Sequence, residues 1–365
     1  MANQRGELPA WVDMGLIPLL NLLIALLVAG LVVIIIGENP IDALWIMLKG
    51  ALGSIKGWGY LLYYATNFIF TGLAVAVAFH AGLFNIGGEG QAYIGGLGAA
   101  IVGLGLGFMP WFIVIPLAII ACAVFGALWG FIPGYLQAKR DSHIVITTIM
   151  FNYIAASLIQ YLINYWFRPL GRMAMESREI DAAYIPSFRE IARDLFGVRL
   201  ASSPLNPTVF LAFFAAWAVW YLLWRTKLGY EIRAVGANVE AAIYAGIDVK
   251  RIIIIAMVIS GGLAGLLAAN EILGVQHRLL LEFVGGAGFV GIAVALMGRS
   301  HPFGIVLASL LFGVLYQGGS ELSFARPAIN RDMIVVVQGL VILFMGALEQ
   351  TFRPALTRYF TQSGE

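Results

Sequence analysis

Long apolar runs without a single charge constrain this chain more than any other feature. Residues 16–36 and 111–138 contain no Asp, Glu, Lys or Arg. A helix crosses the hydrocarbon core of a bilayer in about 20 residues, and only helices or closed barrels satisfy their backbone there. The runs are continuous rather than alternating, so they read as helices. Composition agrees, with 61% hydrophobic residues, 12% charged residues and a mean hydropathy of +0.88 over 365 residues. A soluble chain of this length could not hide so much apolar surface. An ordinary soluble enzyme, a nucleic-acid binder and a disordered chain are excluded. The net charge of +2 is too small to imply a polyanionic partner.

The expected fold is therefore an all-α polytopic membrane protein, one membrane domain over residues 1–365 surrounded by lipid. Ten spans are expected, at 16–36, 60–80, 91–107, 111–138, 144–167, 207–224, 252–273, 286–298, 303–321 and 333–348. The eighth is short enough to be a broken or tilted segment. The first run is longer than the apolar core of a signal peptide and has no small-residue cleavage site. With the N-terminus inside, the 22 Lys and Arg divide evenly between the two sides. Many of the outer ones are arginines of one polar loop, so setting that loop aside leaves the inner side richer.

That loop, 168–206, carries the capping-box pattern Ser187-Phe-Arg-Glu190 before Phe188, Ile191, Ala192, Leu195 and Phe196 at helical spacing, with Gly197 as a stop. It reads as a short amphipathic helix, either a lid over the loop or a docking shelf for an outside partner. A second polar segment, 225–251, offers Asn238 as an N-cap and one small apolar face from Val239, Ala242 and Ile243. Gly246 suits a left-handed stop, and Asp248 suits a cap for the next span. This segment is either a knob that fits a groove on another protein or an ordinary connector.

Several chemistries are absent. Gly286-Ala-Gly288-Phe-Val-Gly291 spells a dinucleotide fingerprint but enters a membrane span and has no acid at the required distance. No Lys follows a Gly, so there is no phosphate-binding loop. Ser260-Gly-Gly262 resembles an ATPase signature but lies inside a span. The four histidines are scattered and the one cysteine, Cys122, is inside an apolar run, so neither a metal site nor catalytic residues are expected. Glycines on the third span (Gly95, Gly103 and Gly107, with Ala99), the fourth (Gly126, Gly130, Gly134) and the seventh (Gly261, Gly265) form ridges that let helices approach closely.

The polar break Phe84-Asn85-Ile86-Gly87-Gly88-Glu89-Gly90-Gln91 follows the second span at once and leads into the third. Irregular backbone at such a place is tolerated where it lines a cavity. Residues 284–288, Val-Gly-Gly-Ala-Gly, echo residues 86–90, Ile-Gly-Gly-Glu-Gly, in the opposite orientation, as an inverted repeat predicts. Asn85, Gly87, Gly88, Glu89 and Gln91, with Asn152 and Gln317 from other spans, are therefore the expected translocation pathway.

Together these segments resemble the membrane permease subunits of bacterial ABC importers, in the branch serving nucleosides, beside the simple-sugar and branched-chain amino-acid branches. The 84–91 stretch looks like that branch's hallmark. Glu240-Ala241-Ala242-x-x-x-Gly246 is similar to the loop by which importer permeases engage their ATPase, and 291–304, continuing to Gly318-Gly319, also looks like this family. The resemblance covers about residues 60–348. It implies a permease subunit in the bacterial cytoplasmic (inner) membrane, with both termini cytoplasmic, moving a nucleoside or similar sugar-containing solute. It also implies a second related permease in a heterodimer, a separate ABC ATPase that binds the ATP, and an extracytoplasmic substrate-binding lipoprotein. Such a subunit is no enzyme and carries no cofactor. The rival reading is a secondary transporter or channel working without an ATPase, which should carry a charged coupling site at mid-membrane. Glu89, Glu271 and Glu321 are its candidates.

Overall fold

The computed structural model describes residues 17–169, 171–329, 333–340 and 343–344. Apart from one isolated antiparallel bridge, Glu176 to Leu280, the regular structure among the described residues is helical. The α-helices are α1 Ile17–Ile35, α2 Pro40–Leu52, α3 Ile55–His80, α4 Gly88–Gly105, α5 Trp111–Arg140, α6 Ile144–Leu162 and α7 Phe188–Phe196. There follow α8 Thr208–Arg225, α9 Lys227–Ala237, α10 Val239–Tyr244, α11 Val249–Gly265, α12 Ala287–Met297 and α13 Pro302–Ala325.

Six helical segments are long and apolar enough to cross a bilayer: Ile55–His80, Trp111–Arg140, Ile144–Phe167, Thr208–Arg225, Val249–Gln276 and Pro302–Ala325. The polytopic helical fold expected from sequence is present, and the count of ten was approximate. The third expected span is α4, full length at 18 residues but glycine-rich and buried along most of its length. The eighth is α12, whose 11 residues rise about 16 Å, roughly half of a bilayer's hydrocarbon core. The first is α1, 19 residues long as expected, after which the chain bends by 117° into Pro40–Leu52. Asn39 accepts from the Ile41 N–H at 2.9 Å and Pro40 opens the new helix, a start signal that was passed over. The tenth, 333–348, is described over 333–340 and 343–344, which are helical; the rest lies outside the described residues.

The helices fall into two units, residues 55–313 and the remainder. In the smaller unit, Val33, Ala43, Leu322, Ile329 and Ile334 form an apolar core, and Gly50 packs on the side chain of Glu321. In the larger unit, α3 is central. Its apolar window is 83% buried, against 28% for α5 and for the span 144–167, which expose Ile120, Leu128, Tyr153 and Tyr161 as a lipid-facing surface does.

The expected glycine ridges hold α5, α11 and α4 together. A Cβ at Gly130 would lie 2.6 Å from the Met257 carbonyl, and one at Gly95 would lie 2.6 Å from that of Gly265. Gly126 meets the backbone of Gly261 and Gly265. The third-span ridge is shorter than expected, since Gly103 packs on Ile180 of the 168–206 loop and Gly107 meets only its own helix end.

Candidate functional site

The break before α4 is built from side chains that replace the missing helix ladder. Asn85 Oδ1 accepts from the Gly87 N–H at 2.8 Å and from Gln91 Nε2 at 3.2 Å. Its Nδ2 donates to Gln91 Oε1 at 3.0 Å and to Ser260 Oγ at 2.8 Å. From α6, Asn152 accepts from the Gly90 N–H at 2.8 Å and donates to the Ile86 carbonyl at 2.9 Å. Asn85, Gln91 and Asn152 are all buried. Buried backbone groups need partners, and here Asn85 of the break and Asn152 of α6 supply them.

Glu89 reaches across to the second half-helix. Its two carboxylate oxygens accept from the N–H groups of Gly286 and Gly288, each at 2.9 Å, at the start of α12. Those N–H groups have no partner within the helix, and the helix dipole favours negative charge there. A Cβ at Gly288 would lie 2.6 Å from the Glu89 Cα, so the N-termini of α4 and α12 meet backbone to backbone. The two echoing segments, 86–90 and 284–288, thus touch at their glycines. Of the expected pathway residues, the structure brings together Asn85, Gly87, Gly88, Glu89, Gln91 and Asn152. Gln317 belongs to the smaller unit, in the second half of α13, where it donates to Glu321 at 3.1 Å.

A second buried polar cluster was missed in the sequence. α11 continues past Gly265 into a π-helix, Ala269–Gln276. Glu271 Oε1 accepts from the Tyr63 hydroxyl and from Asn67 Nδ2, both on α3. Asn270 donates to Asn67 Oδ1 at 2.8 Å and accepts from Asn206 at 2.9 Å and from Thr208 at 2.7 Å. The available signal was Asn270-Glu271 inside an apolar run and Asn67 in mid-span, obscured because Glu271 was read as a span end. Thr71, one turn after Asn67, packs on Gly291, one turn after Ala287. This cluster therefore sits level with the start of α12.

Above the π-helix, the 168–206 loop is tied down by backbone. The N–H groups of Ser177, Ile180 and Ile185 donate to the carbonyls of Leu279, His277 and Leu273 at 2.9, 2.8 and 2.9 Å. Arg278 pairs with Glu176 at 2.9 Å and with Glu179, and that pairing holds the Glu176 carboxyl below its ordinary pKa. Burial holds His277 below the usual histidine range. The expected capping box is complete: Glu190 Oε2 accepts from the Ser187 N–H at 2.8 Å, Ser187 Oγ accepts from the Glu190 N–H at 3.4 Å, and Gly197 ends α7 left-handed. Between this loop and the π-helix lies a cavity of about 330 Å³ lined by Tyr184, Glu190, Ser202, Pro204, Gly274 and His277, among others.

The 225–251 segment folds as two short helices at the other end of the bundle. Asn238 accepts from the Ala241 N–H at 3.0 Å, Gly246 has φ +78°, and Asp248 accepts from the Arg251 N–H at 3.1 Å, all as expected. Its apolar face is not the expected one. Ala242 is buried against its own chain, with 2% exposed, whereas Val239, Ile243 and Tyr244 are 48%, 60% and 93% exposed. Glu240 and Ala241 are exposed beside them. The base is anchored where Gly236 meets Gly82, and where the Trp224 ring sits 5.3 Å from His80 and 4.9 Å from His301.

Comparison with known proteins fits this architecture. The family described as branched-chain amino acid transport system / permease component matches residues 58–346. A glucose ABC transporter permease of Haloferax volcanii is 34% identical, covering 94% of this chain and 90% of the relative. A guanosine ABC transporter permease of Bacillus subtilis is 34% identical over 91% and 93%, and a nucleoside ABC transporter permease of Lactococcus lactis is 34% identical over 90% of each chain. No solved structure matches. With the match covering residues 58–346, most of the chain, the chain belongs to the permease family of the branched-chain amino acid transport systems.

Proposed function

We propose that this chain is the membrane permease subunit of an ABC importer and forms part of the path for a nucleoside or similar sugar-containing solute. The similarity to permeases named for guanosine, nucleosides and glucose, over nine-tenths of the chain, carries the reading. Two helix N-termini meeting inside a bundle support it, because transporters build solute sites at such interrupted helices. In this reading Asn85, Gly87, Gly88, Glu89, Gln91 and Asn152 form the hub about which the path opens and closes, and Gln317 lines a further stretch of the route.

A separate ATPase drives transport through the 225–251 segment. Glu240 and Ala241 meet it together with Ile243 and Tyr244, Ala242 seats the knob on its own chain, and Gly246 turns the knob into α11. A second permease completes the pathway as a heterodimer. The Bacillus and Lactococcus relatives support this, since each organism has a further permease named for the same solute that is 28% identical to this chain. A substrate-binding lipoprotein docks outside on the 168–206 loop, where Leu195 and Phe196 at the end of α7 are 73% and 75% exposed. Both termini are then cytoplasmic, and ATP is bound by the partner and not by this chain.

Uptake of labelled guanosine, ribose and leucine in a deletion strain, with and without the restored gene, tests the reading. Restored uptake of guanosine or ribose that needs the co-purifying ATPase is the expected result. Uptake by the chain alone without ATP would identify a secondary transporter instead.

A further inference from the structure

We propose that the cluster of Tyr63, Asn67, Asn270 and Glu271 is the station that recognises the vicinal hydroxyls of the solute's sugar ring. The proposal rests on the importer reading above and names what part of the solute this chain reads. Three observations carry it.

A continuous polar ladder leads from the cavity into the bundle. Pro204 and Gly274 line the cavity, and both touch Asn206: the Pro204 carbonyl accepts from its amide at 3.2 Å, and a side chain at Gly274 would run into that amide. Asn206 donates to Asn270, Asn270 to Asn67, and Asn67 to Glu271, at 2.9, 2.8 and 2.5 Å. The cavity volume of about 330 Å³ is at the lower end of small-ligand pockets.

Asn270 and Glu271 belong to a π-helix, a rare backbone form that is frequent at functional sites. Asn67, Asn206, Asn270 and Glu271 are at most 5% exposed. An ionisable side chain such as Glu271 inside a membrane bundle is expensive and marks a solute or ion path as its first reading.

The hydrogen-bond chemistry fits one class of solute. A carboxylate accepts only, while an amide both donates and accepts. A vicinal diol offers two donors to Glu271 and acceptors to the Asn67 and Asn270 amides, so it can take over the bonds those groups now make with one another. The named solutes of the relatives, glucose and guanosine, share that diol and little else.

The experiment uses the assembled transporter in proteoliposomes. Competition against labelled guanosine is compared for guanosine and 2′,3′-dideoxyguanosine, in wild type and in Glu271→Gln and Tyr63→Phe. Wild type should prefer the diol by about tenfold or more, the worth of one hydrogen bond to a charged group. Glu271→Gln, which keeps the side-chain shape, should narrow the preference to less than about threefold, with Tyr63→Phe intermediate. If Glu271→Gln does not assemble, a Tyr63→Phe preference below wild type supports the proposal by the same measure. A preference unchanged from wild type in the assembled variants overturns it, as does a wild type that takes up both nucleosides equally. A wild type that transports neither nucleoside nor sugar overturns the importer reading itself, which separates the two failures.

Discussion

The α4–α12 junction and the knob at 238–248 share a vocabulary of glycines, a capping side chain and one glutamate, yet the structure uses them in opposite ways. At the junction, both Glu89 oxygens are occupied by N–H groups of the same chain, and Gly88 faces Gly288. At the knob, a Cβ at Gly246 would meet nothing within 4 Å, Tyr244 is 93% exposed and Glu240 is exposed. The junction answers its own polar groups, while the knob leaves apolar side chains open in the way a protein-binding surface does.

Substitutions should separate the two regions sharply. The largest effect is expected for Gly288→Val, whose Cβ would meet the backbone of Glu89. Overpacking of this kind costs about 1–3 kcal/mol, and here it also parts the two half-helices. The expected outcome is loss of monodisperse permease on size exclusion. Survival of a monodisperse product would mean the junction is no tighter than the knob.

Glu89→Ala should follow, because it strips an acceptor from two buried N–H groups at a cost of about 2 kcal/mol. The melting temperature in detergent should fall, and Glu89→Gln, which retains one acceptor oxygen, should recover part of the loss.

At the knob the order reverses. Gly246→Val forces a branched side chain into φ +78°, a strain on the order of 1 kcal/mol confined to the turn. The spans should stay folded while the ATPase no longer co-purifies. Tyr244→Asp should leave the stability within about 0.5 kcal/mol of wild type and still weaken ATPase binding. Equal co-purification in both variants would make this segment a connector.

The smallest effect concerns pH at the 168–206 loop. His277 is held below its ordinary pKa, so the unfolded loop binds a proton more readily than the folded one. Loop stability is therefore full above the unfolded value, about 6.5, and declines as pH falls below it. Protection of the Ile180 amide, which donates to the His277 carbonyl, should be lower at pH 5.5 than at pH 7.5 by hydrogen exchange, once corrected for intrinsic rates. The pairing of Glu176 with Arg278 adds a second loss only at more acid pH, because that carboxyl is depressed below its usual range.

Local patterns were legible in the sequence and distant partnerships were not. The capping box at Ser187, the caps at Asn238 and Asp248 and the left-handed Gly246 depend on neighbours within four residues, and all appear as read. The ridges of Gly126, Gly130, Gly261 and Gly265 were legible because glycine at helical spacing inside a span has few other uses. The knob's outward face was misjudged because a six-residue helix does not reveal which side its neighbours cover. α2 was missed because residues 40–52 carry Asp42 and Lys49 among apolar residues and do not read as a span. The Glu271 cluster gathers residues some 200 positions apart, Tyr63 and Asn67 with Asn270 and Glu271. No spacing rule links them, and only the fold does.

The seam between α5 and α11 has a mechanical consequence. Where Gly126 and Gly130 meet Gly261 and Gly265, backbone lies on backbone, and the Met257 side chain enters the seam one turn on, at Gly134. Turning or sliding along such a seam meets few steric stops, while pulling it apart loses contact along its whole length. α11 starts directly after Asp248, at the foot of the knob, and runs on into the π-helix that carries Glu271. A twist applied at one end of the bundle can therefore reach the polar cluster near the other end as rotation of a single shaft, with the glycines setting its friction.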